Sequence, residues 1–190
     1  RVEDTELWIC EGDSAAGALK GGRDGYSQAI LPIRGKGLNV YKATLQRILQ
    51  NKEIKELVGV LGCGVDLRTD EIEFFNIDNL KVGKIIFASD ADVDGYHIRA
   101  LLFTLFWKLW PELLREGRVY VAETPLYHLR DSNGESHFTV NEAQTKEIRK
   151  NYRIEHTARF KGLGEMNDDV VWETVMDPAG RTLVPLVCDP

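Results

Sequence analysis

Cysteine is scarce in this chain: 190 residues contain three, Cys10, Cys63 and Cys188. Their odd number and wide spacing fit neither a disulfide framework nor a zinc site, so a reducing, cytoplasmic setting is expected. Long apolar runs are missing as well. The most apolar stretch, 98–114, is interrupted by Arg99, Lys108 and Glu112, and no membrane partner is expected. There is no signal-peptide pattern, internal repeat or low-complexity tract. An excess of positive charge is also absent. Lys and Arg number 24 against 30 Asp and Glu, a net charge of −6, which argues against non-specific nucleic-acid binding through the overall field. The chain opens at Arg1 rather than Met, and we expect a piece of a longer protein.

What is present is ordinary globular composition, 43% hydrophobic and 28% charged, in a length that suits one domain with a small appendage. The charge is unevenly spread. Between residues 15 and 52 lie Lys20, Arg23, Arg34, Lys36, Lys42, Arg47 and Lys52, against the single acid Asp24. Such a segment is either a phosphate-facing surface or a solvated face, and charge alone does not choose between them.

Short apolar runs, 5–10 (TELWIC), 28–33 (QAILPI, disturbed by Pro32), 84–88 (KIIFA) and 118–123 (RVYVAE), read as strands. Helices are expected near 15–20, capped by Asp13 or Ser14, and at 44–50, 53–61, 96–114, 142–150 and 168–176. A hairpin turns at 131–134 (DSNG). Strands separated by helices predict an α/β fold with a parallel sheet, whose sites form beyond the C-terminal strand ends. TELWIC runs into Glu11, and KIIFA runs into Asp90 and Asp92. If the two strands are neighbours, these carboxylates converge.

The stretch SDADVDG, residues 89–95, places Asp90, Asp92 and Asp94 at alternate positions before a glycine. A calcium-binding EF-hand loop would need a bidentate Glu at its twelfth position, where this chain has Leu101. A solvated acidic turn explains the Asp and Gly content but not the matching acid after the first strand. A hard divalent ion held by strand-end carboxylates accounts for both, and Mg²⁺ suits a site of one or two carboxylates completed by waters and phosphate oxygens. Glu11 is the candidate acid/base, with a helix-start carboxylate as its plainer reading.

Six blocks occur in order: EGDSAAGA (11–18), QAILPIRGKGLNVYKA (28–43), SDADVDGYHIRALL (89–102), TPLYHL (124–129), RFKGLGEMN (159–167) and WETVMDPAGRTL (172–183). Together they resemble the Toprim domain and C-terminal tail of the B subunits of bacterial type IIA DNA topoisomerases, DNA gyrase or topoisomerase IV (ParE). The departures are modest. Ala16 and Ala18 flank Gly17 where the family usually has two glycines after Ala, Gly37 replaces an aliphatic residue, and Glu123–Thr124 replaces a polar or Pro pair. None removes a candidate ligand, and the large insert of some gyrase B subunits is absent.

The resemblance implies a Toprim core over 1–125, a Rossmann-like parallel sheet flanked by helices, and a tail subdomain with a hairpin and short helices over 126–190. It implies Mg²⁺-dependent cleavage and religation of double-stranded DNA, an isomerase activity, with Mn²⁺ or Ca²⁺ able to substitute. The nucleophile would be a tyrosine of a gyrase A or ParC subunit in an A2B2 heterotetramer. It would form a 5′-phosphotyrosine link and release a 3′-hydroxyl, and ATP would act through a domain outside this chain. Glu11 would be the acid/base. Glu11, Asp90, Asp92 and Asp94 would serve the metal, Asp94 as ligand or orienter. Asp13, Arg34, Lys36, His97 and Lys161 would lie along DNA, although His97 could equally cap its helix and Lys161 could be a solvated turn residue. The six tyrosines here are not expected to be nucleophiles. The rival readings are a standalone Mg²⁺-dependent nuclease or primase with the same acidic core, and a calcium-binding module. Gyrase and topoisomerase IV are not separated by these residues.

Overall fold

A computed structural model of the chain describes residues 1–34, 40, 43–66 and 74–187. Four parallel strands form the main sheet: β1 (Glu6–Glu11), β2 (Gln28–Ile33), β3 (Lys84–Ala88) and β4 (Val119–Ala122). A fifth, β8 (Leu183–Pro185), adds antiparallel to β4, giving the order β2-β1-β3-β4-β8. This is the expected α/β architecture. Inner parallel strands are covered on both faces, which is why β1 and β3 read as continuous apolar runs. Their side chains nonetheless sort by the two-residue strand period. Leu7, Ile9, Ile85 and Phe87 join one core cluster, and Trp8, Cys10, Ile86 and Ala88 the other. Pro32 is accommodated because β2 is an edge strand, paired among the described residues to β1 alone, so its missing N–H breaks no central ladder.

The first cluster is roofed by α3 (Lys52–Leu61), α4 (Val93–Leu109) and α5 (Pro111–Arg115), through Ile54, Leu57, Leu102, Leu105 and Leu113. The short α2 (Leu45–Gln50) precedes α3. The second cluster is roofed by α1 (Gly12–Gly22) and by the chain's C-terminal part, through Ala16, Leu19, Leu163, Val171 and Met176. No described helix is long and apolar enough to cross a membrane.

The single helix expected over 96–114 is two. α4 begins three residues earlier, capped by Asp92, and ends at Leu109. Pro111 cannot donate to the preceding turn and starts α5 instead. Trp110 sits at the break and donates from Nε1 to the Gly64 carbonyl at 2.7 Å inside the core.

Past residue 126, β5 (Tyr127–Asp131), β6 (Ser136–Thr139) and β7 (Ile154–Arg159) form an antiparallel sheet ordered β6-β5-β7. The hairpin joining β5 to β6 lies where the DSNG sequence predicts it. α6 (Glu142–Asn151) links β6 to β7. A 3-10 turn at Leu163–Glu165 follows. The helix expected over 168–176 is α7 (Asp168–Val171) running into a π-turn at Trp172–Met176. The chain then returns to the first sheet as β8.

Candidate functional site

β1 and β3 are adjacent and parallel, with Cys10 opposite Ala88. Both strands therefore deliver their terminal acids to the same edge of the sheet. Glu11 is the last residue of β1 and the exposed N-cap of α1. Gly12 follows at φ +75°, a left-handed conformation that turns strand directly into helix. Neither Asp13 nor Ser14 caps α1, contrary to the sequence reading: the helix starts at Gly12, and no described side chain bonds its first amides.

At the end of β3, Ser89 is fixed twice. Arg99 Nε donates to its hydroxyl at 2.7 Å, and the Thr124 hydroxyl donates to its carbonyl at 3.1 Å. Burial lowers the Arg99 pKa, with Tyr96 and Glu123 acting in the opposite direction. Beyond Ser89, Asp90 Oδ1 accepts the Leu163 N–H at 2.8 Å, and Asp92 Oδ1 accepts the Gly95 N–H at 2.8 Å as the cap of α4. Both aspartates are half-buried, while Asp94 and His97 are exposed on the first turns of α4. A methyl at Gly95 would overlap the Asp90 carbonyl oxygen, which is why the aspartate run closes on glycine. The loop is entered from a strand rather than a helix, unlike an EF-hand.

Asp90, Asp92 and Lys161 line one cleft of about 320 Å³, together with Thr124, Arg159 and Phe160. Asp13 and Arg34 line a second cleft of about 260 Å³, with Lys52, Glu53 and Glu56. The Arg34 backbone N–H donates to Glu53 at 3.2 Å. Lys36 lies outside the described residues. The donor set at the sheet edge is all carboxylate, and among the described residues half-buried Asp90 and Asp92 each keep Oδ2 outside any intrachain hydrogen bond. Hard oxygen donors of this kind suit Mg²⁺, which asks for few carboxylates and fills the rest with water and phosphate.

Sequence reading missed four features. Arg99 and Thr124 hold Ser89; a charge inside an otherwise apolar helix was the available signal for the first. The Leu163 amide on Asp90 and the presence of Arg159 in the cleft had no local signal. A separate group, Asp131, Glu135 and His137, brings ligand atoms within 4.8 Å in the hairpin. Glu11, Asp90 and Asp92 are not gathered to that spacing. Asp131 builds its turn, accepting from Asn133 and Glu135 backbone amides and meeting His137 Nε2 at 3.0 Å. The His137 bond lowers its pKa; burial opposes this, and the Glu135 and Asn133 backbone amides add to it.

A family model described as the Toprim domain matches residues 6–124, and one described as the DNA gyrase B subunit carboxyl terminus matches residues 149–190. The DNA gyrase B subunit of Mycoplasmoides gallisepticum is 46% identical over 186 residues, covering 96% of this chain. The DNA gyrase B subunits of Thermus thermophilus and Thermotoga maritima are each 45% identical, over 95% and 96% of the chain. In each case the chain spans 28% of the relative's length.

Proposed function

This chain belongs to the Toprim family, and on that premise we propose that it is the metal-binding, DNA-cleaving part of a type IIA topoisomerase B subunit. The observation that carries the reading is the adjacency of β1 and β3, which sets Glu11 and the Asp90–Asp92 loop at one sheet edge. The resemblance of the tail to the gyrase B carboxyl terminus and the gyrase B relatives favour it over a standalone nuclease or primase. The proposed domain division is a Toprim core over 1–125 and a tail over 126–190.

In this reading Glu11, Asp90 and Asp92 hold Mg²⁺, and Asp94 orients it or adds a ligand. When bound, the ion supplies charge stabilisation at the scissile phosphate and the 3′ oxygen. Glu11 gives a proton to the departing 3′ oxygen during cleavage and takes it back on resealing; one group serving both directions satisfies reversibility. The attacking tyrosine belongs to an A-type subunit, in an A2B2 assembly acting on double-stranded DNA in the cytoplasm. ATP acts through another part of the whole protein. Lys161, which shares a cleft with Asp90 and Asp92, and Asp13 and Arg34, which share another, join Lys36 and His97 as the DNA-facing set.

The test combines this chain, within its whole parent protein, with an A-type subunit, supercoiled DNA and Mg²⁺. Glu11→Gln should reduce cleavage and religation by about 10²–10⁴-fold, the usual worth of a positioned acid/base. Unchanged cleavage would sink the assignment. Without the A-type subunit no strand should be cut; cutting by the chain alone would favour the nuclease reading.

A further inference from the structure

The tail turn at residues 162–165 touches both segments that carry the strand-end acids. Leu163 donates its backbone N–H to Asp90 Oδ1 at 2.8 Å. Gly162 lies against the same carboxyl group: a methyl there would stand 2.8 Å from Asp90 Oδ2 and 3.1 Å from its Cγ, the nearest atoms among the described residues outside its own chain neighbours. Two residues on, Gly164 lies so close to α1 that a methyl would overlap the Ser14 hydroxyl. The turn is rigidly seated. Leu163 and Met166 are buried, at 1% and 7% exposure, in the cluster that holds Ala16 and Leu19 of α1. The Lys161 N–H closes the turn onto Glu165 Oε2 at 3.1 Å. α1 is the helix that starts immediately after Glu11.

We propose that this turn is a positioning strut: the Leu163 main chain orients the Asp90 carboxylate, and the seat on α1 sets its distance from Glu11. The metal site is then composite, with ligands from the Toprim strands and alignment from the C-terminal tail. This rests on reading Asp90 as a metal ligand. A carboxylate with one oxygen pinned by a backbone donor presents the other in a fixed direction, and outer partners of this kind typically contribute 10–100-fold to metal affinity. Leu163 and Gly162 are positioning residues, not catalytic ones.

The experiment measures Mn²⁺ binding by loss of the free-ion electron paramagnetic resonance signal, in the chain and in Gly162→Ala, Asp90→Ala and the double variant. Gly162→Ala should weaken binding about tenfold with its melting temperature unchanged, because the three nearest atoms the added methyl meets all belong to the Asp90 carboxyl. In the Asp90→Ala background the same change should have no further effect, the signature of two residues acting as one unit. Parent-like binding by Gly162→Ala, or an equal loss in both backgrounds, would overturn the strut. Parent-like binding by Asp90→Ala would instead remove Asp90 as a ligand, and the metal reading would fall with the strut. A second measurement needs no variant. In Mg²⁺ titration the Leu163 amide resonance should shift with the midpoint of metal binding, and an amide that does not respond would overturn the proposal even if Gly162→Ala failed to fold.

Discussion

Two residues show how tightly single positions are determined around the strand ends. A methyl added at Gly95 would overlap the Asp90 carbonyl oxygen, and the opposing atom is backbone rather than a flexible side-chain tip. Gly95→Ala must therefore displace either the aspartate loop or the first turn of α4. The expected cost is about 1–3 kcal/mol, the usual range for overpacking, read from denaturant midpoints; a parent-like midpoint would mean that the loop yields freely. Cys10, one residue before Glu11, is fully buried. Burial pushes its thiol up to about 12, with Asp13 adding and Lys20 opposing, and burial pushes Cys63 up to about 11. Neither carries appreciable thiolate at neutral pH, so neither should act as a nucleophile. Peptide mapping after a thiol reagent at about pH 8, near the ordinary thiol pKa, should leave Cys10 and Cys63 unlabelled in the native chain and label both after denaturation. Native labelling of Cys10 would show that the core opens at the very strand that carries Glu11.

At the scale of elements, Asp92 does two jobs. It caps α4 through the Gly95 amide, and it is a candidate ligand. The two roles separate by substitution, because Asn caps as well as Asp whereas Ala does not. Asp92→Asn should keep the parent's stability, and Asp92→Ala should lose about 1 kcal/mol in denaturation. Both should lose metal affinity alike, since neither keeps a carboxylate. If Asn binds metal like the parent, Asp92 serves only the helix. What was legible in the sequence follows the same division between local and distant. β1, β3 and the body of α4 were readable because their burial repeats along the chain itself. The placement of Glu11 and Asp90 at strand ends followed from those runs. The break at Trp110 was missed because the apolar spacing continues past it, and only Pro111 signals the stop. The π-turn after α7 has no such marker at all.

For the whole molecule, the least legible contact is the one that returns the tail to the first strand. Arg181 donates from Nη2 to Glu6 Oε1 at 2.5 Å and from Nη1 to Glu6 Oε2 at 2.8 Å, across 175 residues. Gln28 and Trp8 also donate to Oε2, both at 3.0 Å, and the Arg181 guanidinium stands 5.7 Å from the Trp8 ring centroid. No periodicity or spacing reports a pair so far apart, although a Glu opening a buried strand and an Arg just before β8 are both present in the sequence. Burial by itself would raise the Glu6 pKa, but the hydrogen bonds and charge of Arg181, with Gln28 and Trp8, hold it below its ordinary 4.5. A lowered folded pKa gives stability that is complete above the ordinary value and is lost as pH falls through the lowered one. Arg181→Ala leaves Glu6 buried without its cation, a loss of about 3–5 kcal/mol at neutral pH, and burial then raises the pKa instead. The variant should accordingly regain stability as Glu6 protonates on acidification while the parent loses it. The gap between their melting temperatures should be widest near neutral pH, start to narrow above the ordinary 4.5 as the variant's Glu6 takes up its proton, and narrow further below it as the parent loses stability. A gap independent of pH would mean that Arg181 holds the tail by packing on Trp8 rather than by its charge on Glu6.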